Sequence, residues 1–127
     1  MRNHKKQSEA SLLATERRQR EDDAPRLRNE VWHLDELSIE ISEFRFGGTM
    51  LAARYTRRIV IDRAPALFEI PCSEERCTGG GFDLTHDVMR ALKSRYARFD
   101  GEDVCAGQVG SGPCGHVLRY VGRASYR

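Results

Sequence analysis

The sequence predicts an α+β fold: a small, mostly antiparallel β-sheet, one helix across one face, and four cysteines gathered in the C-terminal half. Three observations predict it. Leu37, Ile39 and Ile41 recur at period two with Ser38, Glu40 and Ser42 between them, the pattern of a half-buried strand. A single segment, about residues 84–99, carries apolar residues at helical spacing. Several short extended segments, punctuated by glycine and proline, lie on either side of it.

Residues 1–30 hold few apolar side chains, and every aromatic residue lies from Trp32 onward. Such a segment offers little surface to offset the entropy of ordering its chain. It is expected to be a flexible, charged N-terminal arm, with residues 31–127 as one folded unit. A helix around residues 9–20 with Ser8 as N-cap is compatible with the arm, and Pro25 breaks the chain after it. In the folded unit, the alternation from Leu37 changes phase at Ser42-Glu43 before Phe44 and Phe46, which suggests a bulge. Gly47-Gly48 supplies a turn into an extended segment near residues 49–56, which Arg57-Arg58-Ile59-Val60-Ile61 can prolong. A further strand is expected over residues 67–72. Gly79-Gly80-Gly81 then interrupts the chain, and Asp83 is placed to cap the helix. The stripe of that helix is Leu84, Val88, Leu92, Tyr96 and Phe99. Strands near residues 103–106 and 115–121 close the domain as a hairpin.

The chain has 127 residues, enough for one domain, and a net charge of +2. No apolar run approaches the ~18–20 residues of a membrane span, and no apolar export segment follows the basic start. A cytoplasmic protein is the expectation. Near-neutrality conceals alternating blocks: residues 1–20 are basic, 29–53 acidic, 54–63 and 90–98 basic. The basic candidates for a nucleic-acid or partner contact are Lys5, Lys6, Arg17, Arg18, Arg57, Arg58, Arg90, Lys93 and Arg98. Arg90, Lys93 and Arg98 fall on the helix face opposite the apolar stripe, which also fits a plain solvated surface. In a strand, Arg57 and Arg58 point to opposite faces, so one of them meets the packed side or an edge, with Glu40 or Glu43 as possible partners.

The cysteines are Cys72, Cys77, Cys105 and Cys114, two local pairs at the ends of expected strands. Two turns that each present two thiols can converge on one tetrahedral ion, and four thiolates suit Zn2+. Two other readings stand beside this one: disulfides Cys72–Cys77 and Cys105–Cys114, or free thiols with structural or redox roles. His86 and His116 are alternative ligands for a Cys3His site. His116 follows Cys114 by two residues and so shares its face along a strand.

The step Pro113-Cys114-Gly115 is similar to half of a zinc knuckle, and residues 70–120 resemble a zinc ribbon with a helix inserted between its ligand pairs. Ordinary ribbons carry CxxC pairs, whereas these are CxxxxC and CxxxxxxxxC. The resemblance implies a structural zinc site. No P-loop, GxSxG or HExxH motif occurs, so an enzyme is not expected. The expected role is a small zinc-binding accessory or regulatory protein contacting nucleic acid or a nucleic-acid machine. A protein-interaction module is the alternative, and a thiol redox sensor is a third reading.

Overall fold

The centre of the architecture is the strand that the alternating pattern predicts. The structure, a computed structural model, describes the backbone of residues 2–127 and the side chains of residues 12–127. In chain order the elements are α1 (Arg2–Asp23), α2 (Leu27–Glu30), β1 (Leu34–Arg45), β2 (Met50–Arg58), β3 (Glu69–Ile70), β4 (Phe82–Asp83), α3 (Thr85–Lys93), β5 (Arg98–Val104), β6 (Gln108–Val109), β7 (Gly112–Pro113) and β8 (Val117–Tyr126). The main sheet has the order β2-β1-β8-β5, with every neighbour antiparallel. The fold is therefore α+β with a mostly antiparallel sheet. Two small hairpin-like pairs, β3-β4 and β6-β7, lie outside it.

One face of the sheet is packed. Leu37, Ile39 and Ile41 of β1 and Leu118 and Tyr120 of β8 join Val88, Ala91 and Leu92 of α3 in a single apolar cluster. Phe99 lies across Gly122 on the neighbouring strand, where a Cβ would collide with its ring. The segments around β3 and β4 supply Phe68, Ile70, Phe82 and Leu84 to the same cluster. β2 has no buried residue and is held at the sheet edge by its ladder to β1 and by the 3.1 Å bond from Arg54 Nε to Ser42 Oγ.

Several boundaries differ from the expectation. The helix of residues 84–99 is only nine residues long and ends at Lys93. Arg95 then takes a positive φ of 60°, a left-handed turn that stops any helix. Tyr96 is 57% exposed, and Phe99 reaches the core from strand β5. The spacing of Tyr96 and Phe99 continued the helical stripe by coincidence. Arg98 thus belongs to a strand, not to a basic helix face. The strand expected over residues 67–72 shrinks to β3, while the two closing strands are longer than expected. Residues 59–61 leave the sheet, so Ile59-Val60-Ile61 does not extend β2.

Pairing with β1 places an irregularity at Glu43/Phe44, where the phase change suggests it. Its form is different. Glu43 pairs with Ala53 and Phe44 with Leu51, so the extra residue is Ala52 on β2. β1 itself stays in phase, and Glu43 occupies the inward position after Ile41.

The N-terminal helix runs from Arg2 to Asp23, longer than the sequence suggested. Arg20 ties it to the body through a two-oxygen contact with Glu69, at 2.9 and 3.1 Å from Nε and 2.8 Å from Nη2. Leu27 lies inside the segment read as an arm, yet it is fully buried, and its N–H donates to Ala64 O at 3.0 Å. Val31 and Leu34 follow it into the core. Leu27→Ala is expected to lower unfolding stability by about 2–5 kcal/mol, the usual cost of a large-to-small core change. Leu12→Ala, at a side chain 58% exposed, should shift it by no more than about 0.5 kcal/mol. Urea unfolding of both variants checks the contrast.

Candidate metal centre

Two chain segments far apart in sequence carry the four cysteines to one place. Cys72 and Cys77 lie between β3 and β4, Cys105 directly follows β5, and Cys114 follows the β6-β7 pair. The four Sγ atoms all lie within 4.8 Å of one another. The short separations run across the segments: Cys72–Cys114 and Cys77–Cys105 are each 3.6 Å. A tetrahedron with Zn–S bonds near 2.3 Å has S···S edges of roughly 3.8 Å, so this spacing fits one four-coordinate ion. A disulfide requires about 2.05 Å, and all four cysteines are free. The two locally paired disulfides considered from the sequence do not correspond to the close sulfur pairs.

The turns around the sulfurs are built from backbone. The segment Thr78 pairs with Gln108 through two N–H to O bonds, 2.9 and 3.0 Å, which join the two ligand loops as a short antiparallel bridge. Cys114 N donates to Gly107 O at 2.9 Å, and Cys105 N to His116 O at 3.0 Å. Gly81 N and Gly107 N both donate to Cys105 Sγ, at 3.3 and 3.4 Å. Amides that point at sulfur favour the thiolate. Burial pushes the Cys105 thiol up, but those two amides and the neighbouring thiols outweigh it, and the net shift is downward. Burial also pushes Cys72 up, and it takes Cys77 to about 12. Cys105 is thus the one thiol of the three whose net shift is downward; a backbone amide at Glu74 also favours the Cys72 thiolate but does not offset its burial. An ion is the natural counter-charge for the others.

Gly80 and Gly107 make room for this packing. A Cβ on Gly80 would meet the sulfurs of Cys77 and Cys105, and one on Gly107 would meet Cys77 Sγ and the backbone of Gly80. The Gly79-Gly80-Gly81 run, read from the sequence as a break before a helix, is a sulfur cradle.

A second polar group adjoins the first. Glu43 and His116 are each 3% exposed. Glu43 Oε2 accepts bonds from Ser73 N at 3.1 Å and Ser73 Oγ at 2.5 Å, and lies 2.5 Å from His116 Nδ1. It also lies 4.0 Å from Cys72 Sγ. These are hydrogen-bond distances, and the oxygen is committed to four partners. The trio Glu43, Cys72 and His116 is therefore a network beside the cysteine cluster. His116, a candidate ligand from sequence, is turned to Glu43 and is not one of the four clustered donors. His86 is exposed on α3 and belongs to neither group. Glu43 was offered by the sequence only as a partner for Arg57 or Arg58, and it bonds to neither.

The basic candidates scatter. The side chains of Lys5 and Lys6 lie outside the described residues. Arg17 lines a cleft of 410 Å³ between α1 and the cysteine loop, together with Cys72, Cys77 and Gly80, while Arg18 is exposed. Arg90 pairs with Asp87 at 3.3 Å, Lys93 with Glu30 at 3.5 Å, and Arg98 with Asp100 at 3.2 Å. Arg57 and Arg58 are both exposed, opposite Ile39 and Ser38. The packed face ends before β2, so Arg57 needs no acidic partner inside. Among the described residues no helix is long and apolar enough to cross a membrane.

Gly80→Ala and Gly107→Ala are each expected to lower stability by about 1–3 kcal/mol through overpacking. Gly112→Ala, with nothing within 4 Å of the added Cβ, should be close to neutral. Thermal unfolding of the three variants tests whether the cradle is as tight as it looks.

Comparison of the chain with protein-family models, with curated proteins and with solved structures finds no match, so the four-cysteine cluster rests on its own geometry.

Proposed function

We propose that the chain is a zinc-stapled binding protein without catalytic activity, acting as an accessory factor that contacts nucleic acid. The convergence of four sulfurs from two separated segments carries this reading. When bound, zinc supplies a cross-link between the β3-β4 region and the β5-β8 region; a closed four-sulfur shell leaves no position for a substrate. Four soft donors at a tetrahedral spacing favour zinc over harder, oxygen-preferring cations.

The nucleic-acid part is supported by the solvent face of the sheet. Ser38 stands between Arg58 on β2 and Arg123 on β8, and Arg98 flanks Arg123 on β5. Four residues along β1, Ser42 stands between Arg54 and Arg119. The two rows are about 13 Å apart at the usual strand rise. Arg58 and Arg123 are exposed and placed to reach a phosphate backbone, whereas Arg54 donates to Ser42 Oγ at 3.1 Å, Arg119 to Glu102 at 2.9 Å and Arg98 to Asp100 at 3.2 Å, partners with which a phosphate would compete. Glu40, Asp100 and Glu102 share the face, so binding would be weak and register-dependent rather than a bulk charge effect. Protein binding is the second reading. It is favoured by the exposed tip of the β1-β2 hairpin, where Phe46 is 69%, Met50 52% and Leu51 48% exposed.

Metal analysis of the purified protein should return about one zinc per chain, and removal by a chelator should lower the melting temperature. Cys105→Ser should fold poorly. A protein free of metal and indifferent to chelator ends the zinc reading. In the zinc-loaded protein, binding to single-stranded oligonucleotides should weaken steeply with salt. Arg58→Ala with Arg123→Ala should weaken it further. Absence of oligonucleotide binding in a zinc-loaded protein would move the assignment to a protein partner.

A further inference from the structure

We infer that Glu43 is a positioning residue for the metal centre, holding the Cys72 and Cys114 turns in register with the sheet; this rests on the zinc reading above. The inference begins with an anomaly in the pattern. On β1 the inward positions read Leu37, Ile39, Ile41 and then Glu43. A sheet that needed only a core would place an aliphatic side chain there. A carboxylate buried to 3% exposure is costly unless donors surround it.

Its donors belong to the metal site. Ser73, which gives both its N–H and its hydroxyl, directly follows Cys72. His116, which faces the same oxygen through Nδ1, follows Cys114 by two residues. One carboxylate on a rigid central strand therefore grips both turns whose sulfurs are 3.6 Å apart. The hairpin that follows β1 adds a second tie, because Gly47 N donates to Gly115 O at 2.9 Å. The far ring nitrogen of His116 lies 3.9 Å from Glu74 Oε2, so the ring is bracketed from both sides. Partners outside the ligand shell fix ligand orientation, and losing one typically costs about ten- to a hundredfold in metal affinity.

The test compares Glu43→Leu, Glu43→Gln and the control Ile41→Ala in the full chain. Each is loaded with zinc for chelator competition and with cobalt(II) for absorption spectroscopy. Glu43→Leu supplies the aliphatic group the strand pattern asks for. It should keep the sheet yet bind zinc about ten- to a hundredfold more weakly, with a shifted cobalt spectrum. Glu43→Gln, which keeps an acceptor oxygen, should recover part of the affinity. Ile41→Ala should destabilise the sheet while leaving zinc affinity and the cobalt spectrum of the folded protein unchanged. Should Glu43→Leu not fold, Glu43→Gln decides alone. Wild-type affinity and spectrum in the Glu43 variants overturn the inference while the zinc reading stands. A wild-type protein that takes up neither metal overturns both.

Discussion

Four sulfur atoms within 4.8 Å of one another are the constraint around which the C-terminal half is arranged. Cys72 and Cys114 are 42 residues apart in sequence, and Cys77 and Cys105 are 28 apart. Apolar packing brings their strands near one another but does not aim thiols at a common point. That aim is set by small features: the Thr78–Gln108 bridge, the amides on Cys105, and two glycines too close to sulfur to carry a side chain. β3, β4, β6 and β7 are two residues each, too short to be stable alone. They make sense as struts of the cysteine loops, where a shared cross-link would hold them.

The sheet contributes the rigid side of the arrangement. β1, like β8, is paired on both edges, and it is buried on one face. Anchoring the site through Glu43 transfers that rigidity to Ser73 and His116. The opposite face of the same strand carries Ser38 and Ser42 between arginines of its neighbours, with Ser42 buried beneath them. One strand thus supports the four-cysteine cluster from one face and the proposed contact surface from the other.

Much of this was legible in the residues. Leu37, Ile39 and Ile41 marked the inward face of β1, and the cysteine spacing pointed to a shared site. The local pairs, however, concealed that the close contacts run crosswise, which depends on how two loops face each other. Glu43 was legible only as a break in the apolar pattern, and a backbone bulge explains such a break as readily as a buried acid. The structure contains both, with the extra residue on β2. The end of α3 was missed because Tyr96 and Phe99 sit at helical spacing by chance. Leu27 was missed because one leucine among charged neighbours carries no period to read, although it is fully enclosed. The arginines were readable as clusters, but which of them meet an acid is decided by cross-strand and interelement geometry.

The position of β8 has a consequence for synthesis of the chain. It follows every other element in sequence, yet it lies between β1 and β5. A ribosome must complete β8 before the sheet has a middle, and Cys114 emerges only just ahead of it. Until then the β1-β2 hairpin and β5 each expose an unpaired edge on the side that β8 will fill. Such open edges in a nascent chain are where strands of other molecules can pair. The charged residues set along them, Glu36, Glu40 and Arg45 on β1 and Arg98, Asp100 and Glu102 on β5, oppose that mispairing while the chain waits for its central strand.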